Sequence, residues 1–122
     1  MEQFINNADA VGAVFCLIFI AADYVSGIAK AVYNQDLNSG KMRTGLFHKL
    51  GFVGALALGY ACQIGVNWGF FGEEFSAVFA GVTVWVLITE AISIFENLCE
   101  ISPELAKSPL ASLLNVTTEK ED

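Results

Sequence analysis

The stretch AVGAVFCLIFIAADYVSGIAKAVY, residues 10–33, decides the fold. It stays apolar for about the 20 residues that a helix needs to cross a hydrocarbon core. As a helix it would measure about 36 Å at 1.5 Å per residue, enough for a tilted crossing. Yet it carries an acid, Asp23, at membrane depth. Two further stretches of this kind follow at 50–71 and 76–95, and the last holds Glu90. A hydrophobic share of 55 % and a mean hydropathy of +0.56 agree with them. The expected fold class is an all-α membrane protein with three transmembrane helices, N-terminus outside and C-terminus cytoplasmic. Residues 1–100 form the three-span domain, and 101–122 a short cytoplasmic tail that is disordered at its end.

The orientation comes from how charge is sorted. The chain has 6 Lys and Arg against 13 Asp and Glu, a net charge of −7, but the two signs occupy different places. Lys30, Lys41, Arg43 and Lys49 all lie in or beside the first connection. Lys and Arg near span ends stay in the cytoplasm, whereas acids count for little. The connection at about 34–48 is therefore expected inside. Three spans then place the tail on the same side, with Lys107 and Lys120 in it. These bases flank membrane spans and form no patch on a folded face, so nucleic acid is excluded as a partner. The first residues lack a positive n-region, so span one is expected as an uncleaved helix facing the lipid bilayer.

Between the spans the breakers are clear. Residues 34–40, NQDLNSG, read as a polar turn. Gly69 and Gly72 with Glu73 and Glu74 make a tight hairpin beside the interfacial aromatics Trp68, Phe70 and Phe71. Glu96 and Asn97 are expected to continue the third helix past the membrane. Ser102-Pro103 and Ser108-Pro109 each place a capping serine before a helix-starting proline.

A charged carboxylate at the middle of a membrane helix costs about 2.5–3.5 kcal/mol on insertion scales, so it asks for a partner. Asp23, Ser26, Gly27 and Lys30 share one face of span one by spacings of three and four. Thr89, Ser93, Glu96 and Glu100 form a stripe on span three, with Glu90 and Asn97 on an adjoining face. Lys49 stands at the base of span two. An intramembrane ionic cluster of Asp23, Lys30, Lys49, Glu90 and Glu96 is therefore expected. Its role stays open at this point. It could be polar glue between helices, a face hidden at rest that lines water after assembly, or a proton or ion relay through Asp23 and Glu90.

Small residues supply packing surface. Gly51, Ala55 and Gly59 recur every four positions, as do Ala61, Gly65 and Gly69. Such stripes let helix backbones approach closely in lipid; whether they meet within one chain or between chains is open. Cys16, Cys62 and Cys99 sit at unrelated depths and suggest neither disulfide nor metal site. His48, the one histidine, adjoins Lys49 at an interface. No catalytic constellation, metal site or cofactor motif emerges, so no enzyme is expected.

Together these residues resemble the phage holin family that includes the clostridial toxin-secretion holins. The resemblance is carried by Asp23, Ser26, Gly27 and Lys30, a polar loop with Ser39, and then Gly45, Leu46 and Lys49. In the last span it is carried by Thr89, Glu90, Ser93, Glu96 and Asn97, followed by Pro103. It covers about residues 10–105. The family's acid late in span two is replaced here by Gln63 and Asn67. The resemblance implies a holin, a homo-oligomer of the host bacterial cytoplasmic membrane that forms lesions. Through these a peptidoglycan-degrading endolysin, or a large toxin, leaves the cell, and host lysis is timed. The alternative is a small proton-coupled exporter or ion channel using Asp23 and Glu90; a membrane scaffold is a third reading.

Overall fold

A computed structural model describes residues 7–114. Three long helices dominate it: α1 (Asn7–Tyr33), α2 (Ser39–Asn67) and α3 (Ser76–Ile101). Two short ones, α4 (Pro103–Ala106) and α5 (Pro109–Leu113), close the described chain, and a 3₁₀ turn at Glu73–Phe75 precedes α3. All three long helices are apolar and long enough to span a membrane. The expected disorder at 117–122 falls outside the described residues.

The turn between α1 and α2 is shorter than the polar residues suggest. Helix α1 ends where Gln35 takes a φ of 56°. Asp36 N–H then donates to Ala31 O at 2.8 Å and Gln35 N–H to Val32 O at 3.1 Å. This pair of bonds satisfies carbonyls that a helix end otherwise leaves bare. Asn38 follows as the cap of α2, its side-chain oxygen accepting from Lys41 N–H at 3.0 Å. Gly40, Lys41, Arg43, His48 and Lys49 thus belong to helix α2, which starts well before the apolar stretch at residue 50.

The other end of α2 repeats the device. Phe70 N–H donates to Gly65 O at 2.8 Å and Gly69 N–H to Val66 O at 3.0 Å, around a φ of +83° at Gly69. Gly69 is there for that left-handed conformation, since an L side chain would be strained in it. It terminates the helix and does not extend a packing stripe.

Helix α3 is the hub and packs on both α1 and α2, which touch each other less. The core is a thin column of Cys16 and Ile20 from α1, Leu56 from α2, and Phe79 and Val86 from α3. Only 17–22 % of each apolar span is buried within the protein. The remainder, including Val25, Leu58, Val84 and Ile88, faces outward. A water-soluble protein would not leave this much contiguous apolar surface exposed, and it suits helices that cross a membrane.

At the far end of α3, α4 and α5 fold back. Ala111 on α5 packs with Phe95 and Cys99, joined by Leu105, Ala106 and Leu114. Both short helices begin at the prolines expected, with Ser102 and Ser108 in the cap positions. Neither serine caps through its side chain. The Ser108 hydroxyl donates to Leu105 O at 2.6 Å, and that of Ser102 bonds the Glu104 carboxylate at 3.0 Å.

Candidate functional site: a lysine shared by two buried carboxylates

The polar positions of the three helices converge on one ammonium. Lys49 Nζ, on α2, donates to Glu90 Oε1 at 2.9 Å and to Oε2 at 2.8 Å, and also to Asp23 Oδ2. Asp23 comes from α1 and Glu90 from α3, so a single side chain clasps all three spans. The ammonium has three protons and meets three oxygens, which exhausts its donors. Phe52, one turn along α2, places its ring centroid 5.4 Å from Nζ and closes the remaining side with a π face.

The carboxylates are out of water. Glu90 is 1 % exposed and Asp23 7 %. Such groups are tolerated in a low-dielectric interior only when paired and fully hydrogen-bonded. The second requirement is met by Asn97, seven residues and two turns beyond Glu90 on α3. Its amide donates to Asp23 Oδ1 at 3.1 Å and to Ser26 Oγ at 2.9 Å. Ser26 in turn donates to Asp23 O at 3.1 Å. Gly27 faces the same amide: a Cβ there would lie 3.7 Å from the Asn97 amide nitrogen, an ordinary contact distance. With both acids ionised, one positive and two negative groups sum to −1.

The clasp brings together Asp23, Lys49 and Glu90 from the expected ionic cluster, and it recruits Asn97 and Ser26. Lys30 is not in it. Lys30 lines a cleft beside Asp23 and makes no ion pair among the described residues. Glu96 is exposed and is not one of Lys49's partners. Of the two polar faces on α3, the one with Glu90 and Asn97 turns inward: both are buried, Glu90 against Lys49 of α2 and Asn97 against Asp23 of α1. Ser93 lies at the edge, lining the same cleft as Lys30. Gly45 lines the cleft wall and is otherwise open, with nothing within 4 Å of a Cβ built on it.

The small-residue positions separate by surroundings. Gly59 is an interhelical contact: a Cβ there would stand 3.2 Å from the Cα of Phe79 on α3. Gly65 sits beneath the Phe71 ring, which a Cβ would meet at 2.5 Å. Gly51 has nothing within 4 Å, and Ala61 is exposed, so both look outward; Ala55 is half-buried. Gln63 and Asn67 bond each other at 3.1 Å along α2. Among the described residues no group of three or more His, Cys, Asp or Glu could hold a metal ion.

The whole arrangement lies within a single family model, described as the bacteriophage holin family, which matches residues 2–115. No curated protein and no solved structure matches the chain significantly.

Proposed function

The chain belongs to the bacteriophage holin family, and on that premise we propose that it is a multi-pass protein of the host cytoplasmic membrane whose copies oligomerise into lesions. Through such lesions a peptidoglycan-degrading endolysin, or a large toxin, would reach the outside, and their onset would time lysis. The proposed topology has the N-terminus outside and the tail in the cytoplasm, which puts Lys30, Lys41, Arg43, Lys49 and Lys107 at the inner end.

The observation that carries this reading is the clasp. It draws Asp23 of α1 and Glu90 of α3 onto Lys49 of α2, so a resting subunit keeps these two acids away from lipid. Opening the bundle would free Asp23, Lys49 and Glu90 to pair across subunits and to border water. The exchange is between like partners, one ammonium for another, so its net cost would be small beside the cost of leaving either acid alone in hydrocarbon. A proton-coupled exporter would instead need a carboxylate free to trade its proton for cargo, and Lys49 holds both.

The test is expression from an inducible promoter in bacteria that also make a cytoplasmic muralytic enzyme. Growth should stop abruptly after a fixed delay, with release of that enzyme, and crosslinking should capture multimers in the membrane at that moment. Asp23→Asn should shift the delay at matched expression. Steady growth with the protein abundant in the membrane would overturn the reading.

A further inference from the structure

Not every basic group near the clasp is consumed by it. A cleft of about 350 Å³ opens between α1 and α2 at the end where they are joined. Lys30, Lys41 and Lys49 line it with the acids Asp23 and Asp36, and Ile28 and Met42 add apolar surface. Asp23 is already engaged by Lys49. Lys30 pairs with no acid among the described residues. Lys41 has only a 3.6 Å pair with Asp36, the two side chains being 72 % and 67 % exposed. A pair that long and that wet contributes little and yields readily to a better anion. The first turn of α2, from Ser39, adds the positive end of its dipole.

Position narrows the ligand. Lys30 lies in the last turn of α1 and Lys41 in the first turn of α2, so both stand where the apolar spans end and phospholipid headgroups begin. Basic pockets between membrane helices at this level suit anionic headgroups. A zwitterionic headgroup brings its own cation, which Lys30 and Lys41 would repel. Ile28 and Met42 add apolar surface beside the two lysines.

The geometry points to a phosphate-binding site at the mouth of this cleft, in which Lys30 and Lys41 hold a phosphate-bearing anion, most naturally the phosphodiester of an anionic membrane lipid. The site stands apart from lesion formation and would exist in a resting subunit. A basic side chain at an anionic surface contributes about fivefold in binding, so the two together would give roughly 25-fold preference over a zwitterionic lipid.

The experiment uses the purified full chain in neutral detergent, with lipid retention read by native mass spectrometry. Phosphatidylglycerol, phosphatidylcholine and inorganic phosphate are titrated separately. Phosphatidylglycerol should be retained at much lower concentration than phosphatidylcholine, and K30Q/K41Q should erase the difference. Arg43→Gln, a base on the same turn of α2 but outside the cleft, should leave it intact. Asp36→Asn, which removes the acid beside Lys41, should tighten retention and guards against a double variant that fails to fold. Displacement of the lipid by millimolar inorganic phosphate would assign the site to phosphate from solution. Equal retention of both lipids without an effect of phosphate would overturn the proposal. So would a loss in Arg43→Gln as large as in K30Q/K41Q, because diffuse surface charge would then account for the binding.

Discussion

Lys49 on α2 faces Glu90 on α3 with both carboxylate oxygens within 2.9 Å of one ammonium. The two residues are 41 positions apart, and Asp23 reaches the same ammonium from the first helix. This relationship fixes the relative rotation of all three helices. The apolar column of Cys16, Ile20, Leu56, Phe79 and Val86 cannot do so alone, because lipid is as good a neighbour for those side chains as protein is.

Removing the shared cation therefore costs more than removing either acid. Lys49→Met leaves Asp23 and Glu90 facing each other without compensation, and breaking a buried pair this way costs about 3–5 kcal/mol. Adding Asp23→Asn and Glu90→Gln to Lys49→Met should recover most of the loss, because no buried charge remains. Unfolding of the purified protein in mixed micelles, followed by circular dichroism, reads both steps. A triple variant no more stable than Lys49→Met would refute this electrostatic account.

Asn97 completes the hydrogen bonding of Asp23 and of Ser26 through one amide. Asn97→Ala should cost about 1–2 kcal/mol, the cost of leaving buried acceptors unmet. Asn97→Asp should be worse, since it sets a third acid against Asp23. Ranking wild type above Asn97→Ala and Asn97→Ala above Asn97→Asp by the same unfolding titration checks the direction.

The two small-residue positions at either end of one stripe should behave differently. A side chain at Gly59 meets the Phe79 backbone at 3.2 Å, whereas Gly51 faces open space. Gly59→Val should destabilise the folded chain by about 1–3 kcal/mol, as overpacking does. Gly51→Val should leave the stability of the isolated chain unchanged. If copies meet along the open face of α2, Gly51→Val should instead reduce crosslinked multimers in membranes, a loss visible on a denaturing gel.

Much of this was legible in the residues, and the failures have physical reasons. The three spans followed from hydropathy, because a hydrocarbon core demands long apolar helices. The residue pattern offered Lys30 and Lys49 alike as partners for Asp23 and Glu90, and did not tell which of the two lysines would meet them. Which polar face of α3 turns inward was not legible. Glu90 and Glu96 sit on two adjoining polar faces of one helix, and spacing alone does not say which of two such faces packs against α1 and α2. The return of α5 onto Phe95 and Cys99 depends on two short helices whose burial is purely tertiary. Gly69 looked like the third member of a stripe because spacing alone cannot reveal a positive φ. The early start of α2 was hidden because glycine usually marks a left-handed helix end, and here Gln35 takes that place.

That last substitution of roles gives a prediction of its own. Gln35 holds a φ of 56° while its N–H and that of Asp36 close the end of α1. A residue with a Cβ is strained there by roughly 1–2 kcal/mol, a cost that glycine avoids. Glycine also adds freedom to the unfolded chain, which takes back part of the gain. Gln35→Gly should therefore stabilise the protein by about 0.5–1 kcal/mol, and Gln35→Val, branched at Cβ, should destabilise it by a similar amount. Neither variant touches the clasp or the core, so the unfolding midpoint in detergent reports the turn directly. A lower midpoint for Gln35→Gly would mean that Gln35 contributes more through its side chain than its backbone conformation costs.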